Sequence, residues 1–303
     1  MGLQWVTVPF IAESVRGKLD EHTLRVFDAC IRAADDDPFA VLDRAVDPVA
    51  AAERGHIDVV KWLYAAMLKK PADGDRLVFT KMFYSAASGG HLAVLKWLRK
   101  QGCPADLHAC SMAAGGGHLG VLQWILKKRL PWNMYATYSA AEGGHMECLE
   151  WLSRQEHVVF DDGVCCSAAA GGHVHILKWL RTKDLESPEC ACYAAVNGRL
   201  DCLKWLRAVD YDCAFDADIC AFAAKSGHLH VLAWAHENGC AWASDTCEYA
   251  AKNGQLECLK YARQNGCAWT SLVCYYARRY GHSDCLDWAL ENGCPEHFTF
   301  AET

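Results

Sequence analysis

Residues 113–124 read Ala113-Ala114-Gly115-Gly116-Gly117-His118-Leu119-Gly120-Val121-Leu122-Gln123-Trp124. An alanine pair leads into glycine and histidine, and apolar residues then fall at helical offsets through Leu126. Gly117 therefore stands between two helices. It suits a left-handed C-cap position, where a Cβ is costly, so the chain can reverse there.

The stretch recurs with substitutions along most of the chain. Its glycine is matched by Gly55, Gly90, Gly144, Gly172, Gly198, Gly227, Gly254 and Gly281. Apart from one longer interval between Gly55 and Gly90, successive copies stand about 27 residues apart, the mark of a repeat array. Seven residues after the anchor lie Trp62, Trp97, Trp124, Trp151, Trp179, Trp205, Trp234, Tyr261 and Trp288. Two residues earlier lies Val60 or a leucine, from Leu95 to Leu286. A shorter helix before each anchor closes on small residues such as Ala86-Ala87 or Ala250-Ala251, which let neighbouring backbones approach. Gly102-Cys103-Pro104, Gly239-Cys240, Gly266-Cys267 and Gly293-Cys294-Pro295 punctuate the copies as turns. The excess between Gly55 and Gly90 falls around Lys69-Lys70-Pro71-Ala72-Asp73-Gly74 and reads as a loop insertion. The expected fold is all-α, a solenoid of about nine helical pairs over residues 46–303.

The run Ala-Ala-x-x-Gly-His-Leu, the Val-Leu-Lys-Trp-Leu helix and the Gly-Cys turn resemble the second half of the ankyrin repeat, with tryptophan replacing a leucine. The copies are shorter than the family's 33 residues and lack its Thr-Pro-Leu-His start. Cysteines at 110, 165, 220, 247 and 274 stand where that start places its buried leucine. Short Cys- and Trp-rich repeats of this kind resemble those of amoebae and of the giant viruses that infect them. The resemblance implies a protein–protein interaction scaffold that holds its partner on an inner, concave side. It also implies shorter turns in place of long β-fingers.

Composition agrees with an interaction protein. The 303 residues are 52% hydrophobic and 22% charged, and the net charge of −7 argues against a general nucleic-acid binder. No apolar run approaches the roughly 20 residues of a membrane span. Residues 1–16 lack the layout of a secretory signal, so the 18 cysteines are expected as reduced thiols in the cytoplasm or nucleus, including that of a virus-infected host cell.

No enzyme constellation is present: there is no phosphate loop, GxSxG elbow, HExxH or isolated carboxylate pair. Cysteines exchange with aliphatics four residues after the anchor (Val59, Val94, Val121, Cys148, Ile176, Cys202, Val231, Cys258, Cys285), which marks a small apolar core site. Pairs such as Cys240/Cys247 and Cys267/Cys274 lie seven apart, unlike close zinc ligands, so no metal or cofactor is expected. Cys165-Cys166 and Cys190/Cys192 are the least regular and the best candidates for a reactive thiol. Seven histidines follow the anchor, from His56 to His282, with Arg199 and Gln255 in two copies, so a neutral hydrogen-bonding role at the helix start is expected. Glu147, Asp201, Glu257 and Asp284 suit the positive end of the second helix.

One position varies as a binding surface would. After the alanine pair the copies read Glu53, Ser88, Gly115, Glu142, Ala170, Val196, Lys225, Lys252 and Arg279. Cations at a helix end suit the dipole. In an ankyrin-like stack this site also faces the partner, so Lys225, Lys252 and Arg279 form a candidate ladder for an acidic protein surface, with Glu142 at the same position. Trp242 and Trp269, recurring two residues after the turn cysteine, are candidate contacts as well as turn packing. A monomer is expected.

Residues 1–45 do not follow the repeat. They read as a capping helical pair, Ile11 to Leu19 and Thr23 to Ala34. Leu19-Asp20, Leu24 and Cys30 also loosely resemble an F-box, which would make the chain a ubiquitin-ligase substrate adaptor. At the other end, Phe298 and Phe300 could fold over the last helix.

Overall fold

The computed structural model describes residues 47–69, 74–209 and 215–295. The N-terminal cap, the F-box-like residues and the phenylalanines at 298 and 300 lie outside them. The chain divides into two compact units between Val158 and Val159.

The first unit contains four helical pairs: α1 (Pro48–Glu53) with α2 (Ile57–Lys69), α3 (Asp75–Ser88) with α4 (Leu92–Lys100), α5 (His108–Gly115) with α6 (Leu119–Lys127), and α7 (Tyr135–Glu142) with α8 (Met146–Leu152). The second contains five: α9 (Asp162–Gly171) with α10 (Val174–Arg181), α11 (Cys190–Val196) with α12 (Leu200–Ala208), α13 (Ala217–Ser226) with α14 (Leu229–Glu237), α15 (Thr246–Lys252) with α16 (Leu256–Gln264), and α17 (Ser271–Arg279) with α18 (Ser283–Glu291). The fold is all-α, with nine ankyrin-like pairs and no strand among the described residues. The insertion near residues 69–74 is more than a loop: it lengthens both helices beside it, α2 to 13 residues and α3 to 14.

Within each unit the first helices of neighbouring pairs pack far more extensively on one another than the second helices do. Their alanine pairs explain this. Ala113, Ala114, Ala140 and Ala141 in the first unit and Ala223, Ala224, Ala250 and Ala251 in the second are fully buried. In the last described pair the second alanine becomes Arg278, which is exposed. The second helices bury the residue five after the anchor, Val60 or a leucine, except Leu286 in the last copy, which is half-buried; the Val/Ile/Cys site beside it is buried in all nine copies.

The reversal follows the anchor glycine. Gly117 has φ +74°, the His118 amide donates to the Ala113 carbonyl at 2.8 Å, and the Gly117 amide donates to Ala114 at 3.1 Å. That is a Schellman cap, which satisfies carbonyls the helix would otherwise orphan. A second reason for glycine lies outside the repeat: a Cβ on Gly117 would come within 2.5 Å of the His145 ring. Within each unit the residue after the following copy's anchor rests on the glycine of the copy before: His91 on Gly55, His118 on Gly90, His228 on Gly198 and His282 on Gly254, with Arg199 on Gly172 and Gln255 on Gly227.

Candidate functional site

These histidines do not cap their own helices, contrary to the expected role at the helix start. His118 Nε2 lies 2.8 Å from the Ser88 carbonyl, His145 Nε2 2.8 Å from Gly115, His228 Nε2 2.9 Å from Val196 and His282 Nε2 3.1 Å from Lys252. A carbonyl only accepts, so Nε2 carries the proton in each. Arg199 serves the same purpose, its Nε donating to the Ala170 carbonyl at 2.8 Å. Every acceptor belongs to the position singled out as variable. The histidine row thus pins the backbone of the residues whose side chains form the candidate surface.

On that surface the second unit places Lys225, Lys252 and Arg279 at equivalent ends of α13, α15 and α17. Each meets tyrosine. Lys225 Nζ lies 5.9 Å from the Tyr249 ring centre, and Lys252 Nζ lies 5.6 Å from Tyr276 and 5.5 Å from Tyr280. Arg279 donates to the Tyr275 hydroxyl at 3.2 Å. An ammonium over a ring face gains about 0.5–1 kcal/mol when exposed. Among the described residues none of the three cations makes an ion pair. Tyr275 and Tyr280 are exposed beside them.

Carboxylates occupy the opposite end of two of these helices, α13 and α15. Asp218 lies in the first turn of α13, Asp245 stands just before α15 without a capping hydrogen bond, and Glu248 accepts from the Thr270 hydroxyl at 2.8 Å. The Asp245 charge pushes the Tyr249 phenol up, keeping it neutral. Cationic and anionic edges are thus segregated along the helices. Glu142 is exposed at the end of α7, in the first unit.

Trp242 and Trp269 are half-buried and lie among the second helices. Trp242 stacks on His236 at 4.2 Å, and its indole N–H donates to the Asn265 carbonyl at 3.0 Å. Trp269 meets Trp288 edge-on at 5.7 Å, with Arg263 over its other side at 4.5 Å. Phe160 against Trp179 and Phe215 against Trp234 repeat the arrangement. Each turn aromatic packs on the second helix of the pair that follows it, and Trp242 also on His236 of the helix before it.

The thiols that meet are not the pairs seven apart. Cys247 hydrogen-bonds Cys267 and Cys274 hydrogen-bonds Cys294, both partners twenty residues on. Cys190 contacts Cys165 and Cys166, and those hydrogen bonds, then burial, push its thiol far up. Burial also pushes Cys148, Cys202, Cys258 and Cys285 to about 11. No group of three His, Cys, Asp or Glu among the described residues is arranged to hold a metal ion. None of the described helices is long and apolar enough to cross a membrane.

Residues 49–99 match the family model of ankyrin repeats (many copies). Among solved structures the chain is similar to the human ASB11 ankyrin repeat domain, at 19% identity over 52% of this chain and 84% of that one, with a TM-score of 0.38. No curated relative matches. Ankyrin repeats are in general protein–protein interaction modules, and no enzyme family matches the chain.

Proposed function

We propose that this protein is a non-catalytic scaffold that binds a partner protein with an acidic surface along Lys225, Lys252 and Arg279, working without a cofactor and as a monomer. The carrying observation is that three consecutive first helices in one unit present cations in the same phase, each set on tyrosine and none neutralised by a carboxylate. Such a ladder inside a chain of net charge −7 concentrates positive potential on one edge. Buried thiols acting as core side chains favour a reducing compartment, the cytoplasm or nucleus.

The test is the triple variant Lys225→Glu, Lys252→Glu, Arg279→Glu in the whole chain. Affinity purification from the source cell should recover a partner with the unaltered chain and lose it with the variant, while stability changes by only about 0.5 kcal/mol per site. Retention of the partner at equal strength would overturn the proposal. Residues 1–45 carry the alternative, a ubiquitin-ligase substrate adaptor, on the order Leu19-Asp20, Leu24, Cys30. Recovery of ligase components that disappear on removing those residues would favour it.

A further inference from the structure

The cationic edge has a period, and the period constrains what can lie on it. Lys225, Lys252 and Arg279 sit on neighbouring helices packed through alanine pairs, and packed helix axes stand about 8–10 Å apart. The approach is close: in the first unit, a Cβ placed on Gly115 would lie 3.4 Å from that of Ser139, and these two positions correspond to Lys225 and Tyr249. A bound segment must therefore return an acidic side chain to the same face about every 8–10 Å.

A β-strand returns to the same face every second residue, at about 6.6 or 13 Å, which misses the spacing. An α-helix comes back into phase after seven residues, about 10.5 Å, but it is about 10–12 Å wide. Asp218 and Asp245 lie seven helical residues from Lys225 and Lys252, or about 10 Å along α13 and α15. The helix's return of about 10.5 Å overshoots the spacing of about 8–10 Å, so its acidic side chains drift out of register, and its flank extends about 5–6 Å toward that acidic edge. A polyproline II segment has three residues per turn and rises about 3.1 Å per residue, so every third side chain recurs after about 9.3 Å.

Resting on the acidic-partner reading above, we propose that the occupant is a polyproline II segment of the partner protein carrying a carboxylate at every third residue. Its carboxylates face Lys225, Lys252 and Arg279, and its prolines lie against the interleaved rings of Tyr249, Tyr276 and Tyr280, the apolar support that such segments use elsewhere. Both sides are held in advance. The segment needs no internal hydrogen bonds to keep its shape, and the cations are set on tyrosine, so little side-chain freedom is lost on binding.

The test uses the full chain and fluorescently labelled synthetic peptides, read by anisotropy at low salt. (Glu-Pro-Pro)4 should bind at least about tenfold tighter than a peptide of identical composition with its four glutamates in one block, because only the first engages several cations at once. Lys252→Gln, which removes the middle cation, should erase most of that difference while leaving the melting curve in place. Equal binding of the two peptides would overturn the register. So would tighter binding of an alanine-based helical peptide with glutamate at every seventh residue, or equal binding of a single-stranded oligonucleotide of the same charge. If the peptides bind equally and both are lost in the triple charge reversal, the acidic-partner reading survives and only the segment's shape is wrong. If neither peptide binds, the segment proposal fails, and capture of the cellular partner by the reversed chain decides the broader reading separately.

Discussion

Raising the pH above 9 should unfold this protein well before its other groups would require it. Cys148, Cys202, Cys258 and Cys285 occupy the buried site four after the anchor, and burial pushes each thiol to about 11. In the unfolded chain these thiols titrate near 8.5. Between the two values the unfolded form has lost protons that the folded form keeps, so stability falls as pH rises through that window. At about 1.4 kcal/mol per thiol per pH unit, halved for solvent screening, four thiols remove roughly 3 kcal/mol per unit from a total of about 5–15. Circular dichroism against pH, under reductant, should show a cooperative transition between about pH 9.5 and 11. Valine already stands at this site in Val59, Val94, Val121 and Val231. The quadruple change to valine should therefore cost less than about 1.5 kcal/mol per site at pH 7 and move the alkaline midpoint upward. An unmoved midpoint would show that other groups drive the transition.

Gly117→Ala should be among the most damaging single changes in the first unit. The substitution meets two obstacles: a φ of +74° and the His145 ring within 2.5 Å of the new Cβ. The left-handed conformation costs about 1–2 kcal/mol and the overpacking about 1–3, so a loss of roughly 2–5 kcal/mol by urea denaturation is expected. Gly266→Ala separates the two, because Gly266 has φ +88° with nothing within 4 Å of its Cβ, and it should cost only the conformational part. In a His145→Ala background the Gly117→Ala penalty should shrink by about 1–2 kcal/mol, a coupling that a double-mutant cycle reads directly. Additive effects would mean that the ring moves aside freely and the interlock holds nothing.

Much of this was legible in the chain itself. The period anchored on glycine marked both helices of each pair, and the trade of cysteine for valine at one phase showed that thiols serve as core. Lys225, Lys252 and Arg279 were equally visible as a phase that drifts toward positive charge. The histidines were legible as periodic but not as to purpose: His118, His145, His228 and His282 each meet a carbonyl about thirty residues earlier, and a repeat pattern records phase within a copy, not the offset at which copies touch.

The same limit separates what each level determined. The sequence by itself determined the helical pairs, the glycine that ends each first helix and the buried phases, since all of these follow from local propensity and helical periodicity. Only the tertiary structure decided which phases face one another: histidine onto the preceding glycine, Cys247 onto Cys267 rather than Cys240, Lys252 between Tyr276 and Tyr280. Those partners are chosen by how closely alanine-lined helices stack, a distance set by packing between copies and written in no single one of them.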